Sequence, residues 1–102
     1  MIECIEWLGH ASFRIQGSPR IYIDPWRIAR GPYPADVILV SHDHYDHCSP
    51  ADVEKLSEPV TTVLANPRAA VLLHSAKALR PWQVVNVGRA CIRTVPAYNS
   101  LH

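Results

Sequence analysis

The sequence predicts a mixed α/β fold in which one sheet packs against two helices. Three observations predict it: alternating apolar and polar residues in the first quarter of the chain, an unbroken apolar run at Val37–Val40, and two strong helix-start signals farther on. Alternation is typical of strands that bury one face, whereas a short unbroken apolar run is typical of a strand covered on both faces. With 102 residues, the chain has room for a single domain.

The strands of the first quarter are predicted to form an antiparallel meander. Their apolar residues are Cys4, Ile5 and Trp7, then Ala11, Phe13 and Ile15, then Ile21, Ile23 and Pro25. Turn residues separate these groups, with Gly9-His10 in the first gap and Gly17-Ser18-Pro19 in the second. From Pro25 to Pro34 neither periodicity persists, which predicts an irregular loop before the buried strand.

Two helices are predicted from their start signals. Ser49 is suited to cap a helix, and Pro50 fits the first helical position, where its missing N–H costs nothing, so the first helix is predicted to run to about Leu56. Asn66-Pro67 repeats the signal and predicts a second helix that extends toward Ser75, with His74 capping its carboxyl end.

Three more strands complete the prediction. Val60 to Ala65 is predicted as a strand between the two helices, and Val84–Val87 and Cys91 to Val95 as two closing strands with a turn at Gly88.

Composition and charge exclude several function classes. The formal net charge is +1 and the basic residues are scattered, so no nucleic-acid-binding stripe is indicated, while a small anionic substrate remains compatible. No apolar run approaches the roughly 18 residues of a membrane span. Glu3 and Glu6 lie where a signal peptide would be basic and then apolar, which predicts a cytoplasmic protein.

The cysteines predict neither a disulfide framework nor a zinc ribbon. Cys4, Cys48 and Cys91 are odd in number and widely spaced, and no Cys-x-x-Cys pair occurs. Cys4 and Cys91 are predicted to be buried free thiols, because an unpaired cysteine usually packs as a small apolar residue.

A cluster of metal-ligand residues follows the predicted buried strand. His42 and His44 lie two positions apart, so an extended chain presents both imidazoles to one ion. Asp46 and His47 are adjacent and project differently, which suits a second ion close by. The alternative is a polar surface loop that is rich in histidine, but such a loop need not lie between a buried strand and a capped helix, where α/β folds place their sites.

These residues also carry a resemblance to a known family. His42-Asp43-His44-Tyr45-Asp46-His47 matches His-x-His-x-Asp-His, and the chain resembles the metallo-β-lactamase-fold hydrolases. Residues 7–13, Trp-Leu-Gly-His-Ala-Ser-Phe, and Ile23-Asp24-Pro25 are similar to the branch that holds the ascorbate-phosphate lactonase and N-acyl phospholipid phosphodiesterase groups. The likeness covers the whole chain.

The resemblance implies a metal-dependent hydrolase with two metals in a complete domain. His42 and His44 would hold the first metal, and Asp46 and His47 would hold the second or position the nucleophilic water. Two zinc ions are expected, and manganese or iron is compatible with mixed nitrogen and carboxylate ligands. A metal-bound hydroxide would attack a phosphoester, lactone or related ester; a β-lactam is not the substrate that this branch implies.

Two residues outside the cluster receive roles from the resemblance. Asp24 would orient the histidine loop through hydrogen bonds, and an Asx-turn before Pro25 is an alternative that does not exclude this role. His10 would face the site as a pocket histidine with a catalytic role; a turn histidine without a role is the alternative.

The resemblance also identifies what the sequence does not supply. His102 follows Pro96-Ala97-Tyr98-Asn99 and would be the third ligand of the first metal, or else a frayed terminal residue. The bridging aspartate and the last histidine expected of the family have no counterpart, so residues 1–102 are expected to form one partial domain, the amino-terminal half of an αβ/βα sandwich. A catalytically incomplete metal-binding fragment is the alternative function, and an uncovered sheet face would favour self-association.

Overall fold

The computed structural model describes residues 5–9, 12–17, 19–26, 34–41, 48–73, 76–88 and 90–94, and only the backbone of 5–9. Six strands form one sheet in chain order: β1 (Ile5–Gly9), β2 (Ser12–Ile15), β3 (Ile21–Ile23), β4 (Val37–Val40), β5 (Thr62–Ala65) and β6 (Lys77–Ala78). Two helices, α1 (Pro50–Leu56) and α2 (Pro67–Leu72), alternate with β4, β5 and β6, and β7 (Val84–Val87) and β8 (Ala90–Arg93) form a separate hairpin. The predicted mixed sheet with two helices is confirmed.

The sheet changes from antiparallel to parallel at β3. Strands β1, β2 and β3 pair antiparallel, which confirms the predicted meander, and β3, β4, β5 and β6 pair parallel. Each parallel step after β4 passes through a helix, as parallel neighbours require. Residues that follow β3, β4 and β5 therefore meet at one edge of the sheet.

One face of the sheet packs against the helices. Tyr22 and Ile38 are fully buried there, in a cluster with Val53 and Leu56 of α1 and Ala69 of α2. Burial of each large side chain contributes roughly 1.5–3 kcal/mol. This packing fixes the position of α1 relative to the end of β4.

The opposite face packs partly against the hairpin. Val37 and Leu64 are buried there, and Val85, Val87 and Ile92 of the hairpin pack against their cluster. Strand β4 is therefore covered on both faces, as its unbroken apolar sequence predicted.

Both helices begin where the sequence predicted. The Ser49 hydroxyl accepts a hydrogen bond from the Asp52 N–H at 3.3 Å, and the Asn66 side chain accepts one from the Ala69 N–H at 2.8 Å. The second helix is shorter than predicted, because it ends at Leu72 and the next residue, Leu73, is extended with its side chain buried. Burial of Leu73 in the helix-side core thus outweighs another turn of helix.

Three further details differ from the prediction. Strand β5 begins at Thr62, and Val60 lies in a turn and is 81% exposed. The short strand β6 was not predicted, because its two exposed residues carry no apolar pattern. Cys91 is exposed rather than buried, since the alternation of β8 turns Ala90 and Ile92 inward and Cys91 outward.

Candidate metal centre

The loop with the metal-ligand pattern connects β4 to α1. Strand β4 ends at Val40, Ser41 follows it, and the described chain resumes at Cys48, directly before the helix cap Ser49. Residues 42–47 therefore connect the carboxyl end of a parallel strand to a helix. Open parallel sheets usually bind their ligands at this edge.

Asp24 anchors the start of this loop. One of its carboxylate oxygens accepts the Ser41 N–H at 2.6 Å, and the other accepts the Ser41 hydroxyl at 2.6 Å. The Asp24 residue is only 4% exposed, so water competes little for these charge-assisted bonds. Both donors of the residue before His42 are thus bound to one buried carboxylate.

The backbone of Asp24 is fixed by both neighbouring strands. Its N–H donates to the Leu39 carbonyl of β4 at 2.8 Å, and its carbonyl accepts the Ser12 hydroxyl of β2 at 2.6 Å. Its φ is 48°, in the left-handed region, although a residue before proline is normally extended. The surrounding bonds hold a backbone conformation that costs energy, and the carboxylate faces Ser41 as a result.

The far end of the loop is anchored by packing and by the helix cap. Cys48 is 5% exposed and belongs to the helix-side core cluster, and Ser49 caps α1 one residue later. A second buried carboxylate, Asp52, lies in the first turn of α1, 3.5 Å from the Lys55 ammonium. Its charge is favourable there because a helix amino terminus carries a partial positive charge.

Most of the predicted site residues lie outside the described residues. These are His10, His42, His44, Asp46, His47 and His102. Their metal binding stays a prediction, as does the role of His74, which also lies outside. Within the described ranges, no three of the His, Cys, Asp and Glu side chains come together as metal donors.

The donor chemistry of the loop fits the expected metals. Imidazole and carboxylate groups are the usual ligands of catalytic zinc, and the same mixture suits manganese or iron. The residues on both sides of this loop are held in place: Asp24 binds Ser41 before residues 42–47, and Cys48 and Ser49 are fixed by packing and by the helix cap after them. A loop held at both ends loses less conformational entropy when its side chains bind an ion.

Sequence reasoning found Asp24 but missed Ser12. The hydroxyl of Ser12 is fully buried, and Ser12 lies opposite Asp24 in the antiparallel register, one pair beyond Phe13 and Ile23. The sequence marks Ser12 only as the residue directly before the apolar Phe13 in a predicted strand. Only the register shows that the two residues meet.

Comparison with known proteins agrees with this architecture. Residues 4–102 match the family described as the beta-lactamase superfamily domain. The chain therefore belongs to that family. A UPF0173 metal-dependent hydrolase of Caldivirga maquilingensis is 34% identical over 93 residues, or 82% of this chain, and one of Archaeoglobus fulgidus is 43% identical over 54 residues, or 46% of this chain.

A solved structure extends the similarity to three dimensions. It is the crystal structure of a Parabacteroides distasonis protein assigned to the metal-dependent hydrolases, with a TM-score of 0.87 over 95% of this chain and 26% sequence identity. The chain spans 46% of that protein, 40% of the Caldivirga relative and 23% of the Archaeoglobus relative, so it corresponds to less than half of each. No helix among the described residues is long and apolar enough to cross a membrane.

Proposed function

We propose that this chain carries the first part of the active centre of a metal-dependent hydrolase that cleaves a phosphoester, lactone or related ester. The observation that carries the proposal is the anchoring of Ser41 by Asp24, directly before the His-x-His-x-Asp-His sequence. The relatives named metal-dependent hydrolases support metal-dependent hydrolysis, and the ester substrate is the proposed part.

The roles of the loop residues follow from their donor chemistry. His42 and His44 are the proposed ligands of a first ion, with His102 as a third, and Asp46 and His47 are the proposed ligands of a second. Two zinc ions in the complete domain would supply an acidified water and a Lewis acid at the ester. Asp46 can also accept a proton from an attacking water, and His10 is a proposed pocket residue on the substrate side.

Asp24 acts, in this proposal, on the position of the loop. Its two bonds hold the main chain and side chain of Ser41, the residue directly before His42. Residues that orient metal ligands typically change metal affinity or activity by roughly 10–100-fold when they are removed, so an order-of-magnitude effect is expected here.

The remaining proposals concern the surroundings of the protein. The substrate is a small molecule, and an anionic one would be attracted by the metal charge. A cytoplasmic location stays a prediction. We also infer self-association through the hairpin-side face of the sheet, where Phe13 is 37% exposed.

Hydrolysis by the zinc-loaded protein tests the proposed activity. The purified protein is incubated with bis(p-nitrophenyl) phosphate and with a simple lactone, and His44→Ala is compared with His74→Ala, which changes a histidine outside the metal-ligand sequence. We expect the His44 variant to lose at least about 100-fold in rate and the His74 variant to stay near the original rate.

Two other outcomes are informative. An unchanged rate in the His44 variant would show that the loop is not the catalytic centre. Zinc binding that depends on His44, without hydrolysis of either ester, would favour the alternative function of a metal-binding segment that lacks activity alone.

A further inference from the structure

We propose that Ser12 is a positioning residue for the metal-binding loop, although the bond that its hydroxyl donates goes to Asp24 rather than to the loop. This inference rests on the proposed function, because it assigns a role to Ser12 within the same centre. The influence of Ser12 passes from its hydroxyl to the backbone of Asp24, then to the Asp24 carboxylate, and then to Ser41.

The Ser12 hydroxyl is fully buried and donates to the Asp24 carbonyl at 2.6 Å. The regular pairing of β2 with β3 ends at Phe13 and Ile23, and Ser12 and Asp24 form the next opposing pair. The Ser12 hydroxyl thus bonds the Asp24 carbonyl just beyond the last paired residues, at the point where Asp24 leaves extended geometry.

The conformation of Asp24 depends on such contacts. A left-handed φ is disfavoured for residues with a side chain, although less for aspartate than for most, and the following Pro25 disfavours helical values as well. Such a conformation persists only where several contacts determine it. The Ser12 bond to the Asp24 carbonyl is one of these contacts, and the bond from the Asp24 N–H to Leu39 is another.

The backbone of Asp24 is in turn connected to the loop. Rotation of Asp24 toward an extended φ would carry its carboxylate away from Ser41, whose N–H and hydroxyl it accepts at 2.6 Å each. Loss of the Ser12 hydroxyl therefore weakens the anchor of residue 41, and residue 42 is the first proposed ligand. Ser12 acts on the metal through Asp24.

Substitution of Ser12 tests this role with two measurements. In Ser12→Ala we expect the zinc dissociation constant, measured by competition with a chromophoric chelator, to rise about tenfold. In the metal-free protein we expect the Ser41 amide proton resonance to move upfield, because its short bond to a carboxylate weakens. The second measurement does not depend on metal binding.

Ser57→Ala is the matched control. The Ser57 hydroxyl also donates to a main-chain carbonyl, that of Val53, at 2.7 Å in a partly buried position at the far end of α1. We expect this variant to lose a similar amount of stability and to keep the zinc affinity within about twofold. If the role of Ser12 were merely structural, the two variants would keep the same zinc affinity.

A double substitution tests whether Ser12 acts through Asp24. Glycine adopts a left-handed φ without penalty and has no carboxylate, so Asp24→Gly removes the step on which Ser12 depends. Adding Ser12→Ala to Asp24→Gly should change the zinc affinity by less than about twofold. A full further loss of about tenfold in the double variant would overturn the proposal.

The outcomes separate this proposal from the proposed function. If His44→Ala abolishes zinc binding while Ser12→Ala matches the Ser57 control, the positioning role is wrong and the metal loop stands. If His44→Ala leaves zinc binding unchanged, the proposed function fails. Should Ser12→Ala not fold, Ser12→Cys fills the site with a weaker donor, and the same criteria apply to it.

Discussion

Asp24 combines a buried charge, a left-handed backbone and two bonds to one residue. Its carboxylate receives the N–H and the hydroxyl of Ser41, which lies 17 residues away in the sequence. The sequence and the resemblance predicted that Asp24 would orient the loop, and the structure adds the contact through which it can do so. The contact itself was not predictable, because it depends on the parallel alignment of Ile23 with Leu39.

Substitutions of Asp24 should separate its hydrogen bonds from its charge. The side-chain carbonyl introduced by Asp24→Asn can still accept the Ser41 N–H, and its amide can donate to the Ser41 oxygen, so this variant should lower the free energy of unfolding by about 1 kcal/mol. Asp24→Ala loses both bonds and tolerates the left-handed φ poorly, so about 3 kcal/mol should be lost. Urea denaturation followed by circular dichroism measures both values.

The free energy of unfolding of Asp24→Ala can also contradict the proposed anchor. If Asp24→Ala stays within about 1 kcal/mol of the original protein, the two bonds to Ser41 contribute little and the anchor is not a determinant of the fold.

The caps of the two helices differ in which part of the chain they adjoin. Ser49 caps α1 directly after the metal-ligand loop, whereas Asn66 caps α2 and its N–H donates to the carbonyl of Val40, two residues before the loop, at 3.3 Å. Ser49→Ala and Asn66→Ala should each lower the free energy of unfolding by about 1 kcal/mol. Ser49→Ala should weaken zinc binding more than Asn66→Ala, because Ser49 directly follows the carboxyl end of the loop and its cap holds that end.

Thermal unfolding and zinc competition together check the pair of caps. Equal weakening of zinc binding by both variants would mean that general destabilisation, rather than the end of the loop, controls affinity.

Features that are encoded within a few neighbouring residues were predicted correctly, and features that depend on distant contacts were not. The meander, strand β4 and both helix starts were predicted correctly, because alternation, an apolar run and a cap followed by proline are encoded within a few residues. The end of α2 and the direction of Cys91 depend on which side chains reach the core, and the sequence does not show that. Strand β6 is defined by its pairing with β5, and its two residues have no apolar alternation that would predict a strand.

For the candidate site, the sequence supplied the ligand pattern and its place between strand and helix. The structure confirmed that place through Ser41 and Ser49, while the ligand geometry of residues 42–47 stays a prediction. Ser12 was not predicted as a site residue, because no sequence pattern identifies a single serine as buried.

At the scale of the whole molecule, the two faces of the sheet are unequally covered. The helices bury Tyr22 and Ile38 completely, whereas on the hairpin side Ile23 and Leu39 are only partly buried and Phe13 is 37% exposed. Apolar area left in water favours association with a second copy.

Phe13→Lys should therefore reduce self-association. Val71→Lys is the matched control, because Val71 is an exposed apolar residue (84%) on α2, which lies on the other side of the sheet. Sedimentation equilibrium over a dilution series should show association of the original protein and of the Val71 variant, and a shift toward monomer in the Phe13 variant. A monomer at every concentration of the original protein would contradict the inferred association.

The zinc dissociation constant of His44→Ala tests most directly whether residues 42–47 bind metal. The value is measured by chelator competition beside the original protein and His74→Ala. We expect at least about 100-fold weaker binding in the His44 variant and a change within about twofold in the His74 variant. Equal affinity of the His44 variant and the original protein would contradict metal binding by residues 42–47.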